Sequence, residues 1–405
     1  MTQNQLVIRD PLLDPNQRML GYQLHFDQLS TRAGSADVEA ELLLEQILAM
    51  RENETDAVSR YVYFLPATSR LIQEGRYTGL PSGVLGLIVT PDVLADQAAV
   101  DVLKVMRASG YEILLRGADL AAIQQAWLQI ATLVEVYFEP GNFSLQAKIF
   151  SLLKNSSMRL AAADVASWQE YAICKKLGLH AFVGRFFMQM PVETETADKA
   201  RPLSPSQSTL LQLMDGVRAN ADIAKLENIL KQDAALSYKL LFYINSAAFG
   251  LSFEIESLRH AITMLGYDKL NRWLCVLFAT SDASTSSPVL LHAALVRGRM
   301  VELLGATLLS GAEGESLFIT GMFSMLDRLL ASSMEEALEH VRLPQSVVDA
   351  LIDGQGMYAP FLQLALAVER HDDQVANLMD SLGLDAGRVN DAHFAALSWA
   401  NQLLS

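Results

Sequence analysis

The hydrophobic and polar positions of this chain follow two different rhythms. Up to Met190, short β-branched or aromatic runs alternate with longer amphipathic stretches. The runs predicted as strands are Leu6–Arg9, Leu20–Phe26, Tyr61–Leu65, Val84–Val89, Glu112–Leu115, Leu133–Phe138, Arg159–Ala163 and Ala181–Phe187. Between them, Val38–Met50 puts Leu42, Leu43, Ile47 and Leu48 on one helical side and Glu39, Glu41 and Glu45 on the other. Val93–Ala108 and Asp119–Ile130 read the same way. Strand–helix alternation predicts parallel strands joined by crossover helices, and about eight of them predict a (β/α)8-like barrel. An open doubly wound sheet is the structural competitor.

At Pro191 the pattern stops. Residues 191–205 are polar, contain Pro191, Pro202 and Pro205, and have no apolar period, which marks a linker. Beyond it the pattern is helical throughout. Asp222 is placed to cap a helix striped by Ile223, Leu226, Ile229 and Leu230. Leu236–Ala248 is apolar nearly all round and predicts a central buried helix. Ile255, Leu258, Ile262 and Leu265 repeat at helical spacing and end at Gly266, a natural stop. Ser281–Pro288 reads as a loop. The predicted fold is therefore α/β plus all-α: a (β/α) barrel domain over 1–192, a linker over 193–205, and a helical bundle over 206–405.

Composition sharpens the class. The chain has 405 residues, 51% of them hydrophobic, with 46 acidic and 31 basic side chains and a net charge of -15. That is too apolar for a disordered chain, long enough for two domains, and lacks the clustered cations that a nucleic-acid backbone requires. No charged leader with an apolar core begins it, and no run approaches the ~18–20 apolar residues of a membrane span. Cys174 and Cys275 are too few and too far apart for a metal spacing or a disulfide framework, so two buried reduced thiols are expected. A cytoplasmic protein follows.

Chemistry in such a barrel belongs at the C-terminal ends of the strands. The acidic candidates there are Glu139, Asp164, Asp92 and Asp119, each in a loop or at a helix start where caps are common. The mouth is therefore expected to be chemically empty. His371-Asp372 is a His-Asp dipeptide, with His260 or His292 upstream and Asp380 or Asp385 downstream as further metal ligands. It lies inside the charge run Glu369–Asp373, which reads more simply as a solvated face. Gly354-Gln-Gly356 is a weak match to a phosphate loop, and Cys174 with His180 does not define a reactive pair.

Two stretches resemble known families. The second half resembles an HDOD domain, a helical relative of the His-Asp hydrolases without their metal ligands. The likeness rests on Leu226–Asp233, Lys239-Leu-Leu, Asn245–Gly250, Ile255–Ile262 running to Leu265-Gly266, and Phe318–Leu330. The first half resembles an EAL domain, the cyclic di-GMP phosphodiesterase barrel, with altered motifs. Gln23 and Asp27 stand where that family has its signature glutamate and a phosphate-binding arginine. Arg116 and Gly117 stand at its paired metal-binding aspartates, and Ile88 and Pro91 at acidic positions before them. Glu135 and Tyr137 replace its lysine and aspartate, Ala163 a glutamate, and Val183-Gly184 its Gln-Gly pair.

Those replacements remove the oxygen donors that Mg²⁺ or Mn²⁺ needs and the arginine fork that a phosphate needs. The resemblance thus implies a degenerate barrel with no cofactor, no metal and no catalytic residue, in a chain that is not an enzyme. It implies a signalling regulator acting through protein–protein contacts in cyclic di-GMP-related control of motility or biofilm formation. Gln23, Arg116, Glu135, Tyr137 and Ala163 are then vestigial mouth positions. Arg116 and Arg185 are left to recruit an anion or to be paired structurally, and the contact surface is either the mouth, with Met19, Phe26 and Met188, or a helical groove of the second domain. The expected partner is a signalling protein, with a homodimer possible, no nucleic acid, no membrane insertion, and cyclic di-GMP disfavoured in its usual pose. The alternative is a cyclic dinucleotide-binding effector or a residual metal-dependent phosphodiesterase.

Overall fold

The computed structural model describes residues 5–26, 35–52, 61–117, 125–137, 159–190, 204–246, 254–280, 287–306, 308–309, 311–339, 341 and 343–404. The chain forms two compact units, Met1–Gln189 and Met190–Ser405. In the first, eight strands close into a barrel in chain order: β1 (Val7–Leu13), β2 (Met19–Phe26), β3 (Val62–Pro66), β4 (Leu85–Val89), β5 (Glu112–Leu115), β6 (Leu133–Tyr137), β7 (Arg159–Ala163) and β8 (Ala181–Val183). The strands from β2 to β8 run parallel to their neighbours. Helices α1 (Ala36–Glu52), α2 (Gln97–Ala108) and α3 (Trp168–Lys176) lie in the crossovers after β2, β4 and β7.

One strand departs from the predicted all-parallel alternation. β1 runs antiparallel to both β2 and β8, with Val7 opposite Phe26 and Leu12 opposite Val183. The reason is local, because only five residues join β1 to β2 and a crossover helix needs about a dozen. Asp14 builds that turn by accepting from the backbone N–H groups of Asn16 (2.7 Å) and Arg18 (2.8 Å). Two other expectations shift. The stretch Val93–Ala108 breaks at Asp96, which caps α2 by accepting from Ala98 and Ala99. Ala181–Phe187 is a strand only to Val183 and then turns through a short 3₁₀ segment, Phe186–Met188.

Side chains alternate across a strand, so every second residue points into the barrel. Leu12, Phe64, Ile88, Leu114, Leu133, Ala161, Ala181 and Val183 form one buried cluster that plugs it. Toward the far ends of β5 and β6, two residues beyond Leu114 and Leu133, the same inward rows continue as Arg116 and Glu135. A polar layer therefore sits on an apolar plug. At the opposite end, Glu112 accepts from Thr132 Oγ1 (2.6 Å) and from Arg159, tying β5, β6 and β7 together.

Among its described residues the second unit contains helices and no strands. Those used below are α4 (Pro205–Arg218), α5 (Ile223–Leu230), α6 (Ala234–Ile244), α7 (Leu258–Thr280), α8 (Pro288–Gly305), α9 (Gly311–Phe323), α10 (Ala359–Arg370) and α11 (Ala386–Leu404). Ser204 opens α4 with a reciprocal capping box to Gln207, and Asp222 caps α5 through the Ala224 N–H at 2.9 Å. Gly266 does not end its helix: at φ 81 and ψ 173 it kinks α7, and the helix resumes beyond it. The interior is cross-braced by charge. Arg272 of α7 forks onto Glu302 of α8 (2.9 and 2.8 Å) with its guanidinium 3.7 Å from the Phe318 ring centre. Arg297 of α8 forks onto Glu369 of α10 and donates to Ser324 Oγ at 2.7 Å.

α6 also differs from expectation. Leu236, Leu240 and Ile244 are buried on one side, but Tyr238 is 71% exposed and Phe242 53% exposed. The helix is apolar on both faces and buried on one. Cys174 and Cys275 are buried free thiols, and burial pushes their ionisation up to about 11 and about 12.

Helices α8 and α9 cross closely. A methyl group on Gly321 would stand 2.7 Å from the Arg297 carbonyl oxygen and 2.8 Å from Gly298 Cα. Gly321→Ala should therefore destabilise the protein by about 2 kcal/mol, the cost of overpacking. Gly314→Ala on the same helix, where nothing lies within 4 Å, should be neutral or slightly stabilising. Thermal unfolding of the two variants beside wild type measures the contrast.

Candidate functional site

The parallel strands place the reactive end of the barrel at their C-termini. There Arg116, following β5, reaches across the interior. Its Nε donates to Glu135 Oε2 at 2.8 Å, and its Nη2 donates to Gln23 Oε1. Glu135 and Gln23 are both almost fully buried. Beside them, Arg185 Nη2 donates to Asp10 Oδ1 at 2.8 Å, and His25 Nδ1 lies 3.7 Å from Asp10 Oδ2. Tyr137, two residues from Glu135 on the same face, is half-exposed, and Ala163 pairs with it across β7.

The electrostatics are those of a crowded, partly dry pocket. Burial raises the Glu135 carboxyl, the Arg116 charge pulls it back, and Asp164 and Asp10 push it up again. Burial lowers His25, chiefly by penalising the imidazolium, against the pull of Asp10. Burial and then the Glu135 charge raise the Tyr137 phenol. The mouth is not chemically empty, contrary to expectation: Asp10, His25, Arg116, Glu135, Asp164 and Arg185 form one interacting charge cluster. Sequence reasoning missed Asp10 because it ended β1 at Arg9. Asp10-Pro11 looks like a strand breaker but lies within the strand, with Asp10 held by Arg185.

Gln23, Arg116 and Glu135 are thus brought together, with Tyr137 and Ala163 alongside. Met19 is not at the mouth; it begins β2, opposite Leu13 at the closed hairpin end. Phe26 closes β2, Met188 lies in the turn beyond β8, and both are half-buried. Asp164 sits just beyond β7 with φ 51, and Asp92 lies in the first turn of the Pro91–Ala95 helix. Asp27, Asp119 and Glu139 lie outside the described residues.

A divalent metal needs several convergent oxygen or nitrogen donors. Among the described residues no group of three His, Cys, Asp or Glu side chains could hold one. Arg116 and Ala163 add no donor, so these described residues do not fit a metal. The His371-Asp372 pair is structural. His371 closes α10 in the left-handed conformation, and Asp372 accepts from the Gln374 N–H at 2.9 Å. Asp385 caps in the same manner through Arg388 (2.8 Å). His292 is buried against Asn401 (2.9 Å) and falls to about 4, so it is neutral.

Comparison with known proteins adds to this geometry. Residues 203–343 match the HDOD domain family. The second unit carries an HDOD domain. Over nearly the whole chain, the cyclic di-GMP phosphodiesterase CdgJ of Vibrio cholerae is 26% identical across 406 residues, 98% of this chain and 92% of that protein. The uncharacterized protein YuxH of Bacillus subtilis is 23% identical across 417 residues, 98% of each chain. Among solved structures, the PaMucR phosphodiesterase in complex with c-di-GMP superposes with a TM-score of 0.35 at 16% identity, over 47% of this chain and 94% of that one.

The expectation that the chain is not an enzyme is corrected by the Vibrio relative: a protein named a phosphodiesterase aligns with barrel and HDOD domain together. That expectation was built on single strand-end residues. The carboxylates of Asp10, Glu135 and Asp164, which closure of the barrel collects at the mouth, were not weighed as a set. Among the described residues no helix is long and apolar enough to cross a membrane.

Removing Arg116 would leave Glu135 buried without its counter-charge. Arg116→Met should cost about 2 kcal/mol at pH 8, below the 3–5 kcal/mol of fully buried pairs because Arg116 is partly exposed. Glu135 in that variant sits further above its unfolded value, so the folded state holds the extra proton, and stability falls as pH rises through the window between the two values. The deficit against wild type should therefore shrink toward pH 5. Denaturant midpoints at pH 5 and pH 8 test this, with Glu135→Gln showing a much weaker pH dependence.

Proposed function

We propose that this protein works in cyclic di-GMP signalling: its barrel mouth takes up the cyclic dinucleotide, and its HDOD domain passes the state on through contact with another protein. The observation that carries the reading is the pair of unused donors at the mouth. Gln23 Nε2 is buried with no hydrogen-bond partner among the described residues. Arg116 donates through Nε and Nη2 and meets no further acceptor for Nη1 among the described residues. A phosphodiester oxygen supplies what both lack, since an arginine fork and a neighbouring amide match its geometry and charge. The kinship with a phosphodiesterase of the same nucleotide supports the choice of ligand.

Glu135 tunes the site. While ionised it competes with an incoming phosphate for Arg116, and once protonated it releases the guanidinium. Its carboxyl is raised by burial, so affinity for an anion should increase as pH falls toward 5.

Calorimetric titration of the full chain with cyclic di-GMP tests the reading. One saturable equivalent is expected, tighter at pH 5 than at pH 8, and at least ten-fold weaker in Arg116→Ala and in Gln23→Leu. Silence at both pH values, with and without Mn²⁺, overturns it. Chromatography of the titrated nucleotide separates a mouth that holds the ring from one that opens it.

A further inference from the structure

The second unit carries a cleft of about 690 Å³, bounded by α6, the segment 254–256 and the end of α11. One wall is the outward face of α6. Tyr238 and Phe242 are a helical turn apart, so both rings leave the helix on one side, with centroids 6.3 Å apart and planes 27° from parallel. The opposite wall is fixed. Asn245 Nδ2 donates to the Ile255 carbonyl at 2.8 Å, and Ile255 N–H donates back to Asn245 Oδ1 at 2.7 Å. Ile255 and Leu403 are buried and give the cleft an apolar floor. Glu254 and Glu256 stand exposed on the rim, and none of the described residues lining the cleft is basic.

Two stacked aromatics left in water on a helix buried along its other face mark a contact surface. The acidic rim selects the occupant. We propose that this cleft takes a basic amphipathic segment of a partner protein. A large apolar side chain of that segment lies against Tyr238 and Phe242, and its Lys or Arg side chains pair with Glu254 and Glu256. A second copy of this chain fits poorly, because a two-fold contact would set the same carboxylates against each other. The inference rests on the reading of the HDOD domain as the protein-contact module and gives that partner its chemistry.

The test is fluorescence anisotropy on the full chain with three labelled 15-residue probes. One arranges Leu and Lys on opposite helical faces, one scrambles the same composition, and one replaces every Lys by Glu. The patterned lysine probe should bind at least ten-fold tighter than the scrambled one and measurably tighter than the glutamate one. Tyr238→Ser with Phe242→Ser should erase the advantage over the scrambled probe. Glu254→Lys with Glu256→Lys should transfer preference to the glutamate probe. All four side chains are exposed, and matching melting curves confirm that the variants fold.

Equal binding of patterned and scrambled probes, or binding indifferent to the aromatic pair, overturns the proposal, since bulk acidity would then explain capture. So does a dimer, measured by light scattering, that Tyr238→Ser dissociates, because the occupant would then be a second copy. Nucleotide titration of the same variants keeps the two readings apart. Probe failure with nucleotide bound removes only the cleft, and nucleotide silence with the probe bound removes only the mouth.

Discussion

Arginine cannot give up its charge inside a folded protein, so a guanidinium drawn into a barrel dictates what surrounds it. Arg116 imposes that constraint here. A carboxylate must reach it, and Glu135 does so from the next strand; a neutral acceptor must take its second arm, and Gln23 does so from across the barrel. Glu135 is then held between one cation and the carboxylates of Asp164 and Asp10, the second of which is itself a neighbour of Arg185 and His25. The apolar plug beneath, from Leu12 to Val183, keeps water from relieving these charges from below. The mouth is a balance of fixed charges in which one carboxyl can change its state.

Much of the barrel was legible because short apolar strand runs recur between longer helical stretches. Glu112–Leu115 and Arg159–Ala163 were read to the residue. β1 was cut short because Asp10-Pro11 carries a charge and a ring that disfavour a strand interior. Its reversed direction breaks the general strand–helix rhythm, because five residues are too few for a crossover helix. The individual mouth positions could be named from strand ends. Their grouping could not, because 93 residues separate Gln23 from Arg116 and only closure of the sheet makes them partners.

The helical unit shows the complementary limit. Caps such as Asp222 and Ser204 are short-range chemistry, and Asp222 could be read directly. Which face of an apolar helix is covered depends on neighbours that hydropathy does not know. Tyr238 and Phe242 therefore read as core and turned out to be surface. Conversely, Arg272 and Arg297 look like surface residues and are buried, because Glu302 and Glu369 lie on other helices at matching depth. Gly266 carried the right local message, an interruption, but packing beyond it restored the helix.

The two sequestered thiols have a practical corollary. With ionisation displaced to about 11 and about 12, roughly one Cys174 thiol in ten thousand is thiolate at neutral pH, and fewer at Cys275. Both sulfurs are also out of reach of bulky reagents, being fully covered by their neighbours. The natural chain is therefore nearly silent toward maleimides and iodoacetamides while it stays folded. A single cysteine introduced on either unit would take a spectroscopic label alone, with the native pair left in place, and labelling of that pair would itself report unfolding.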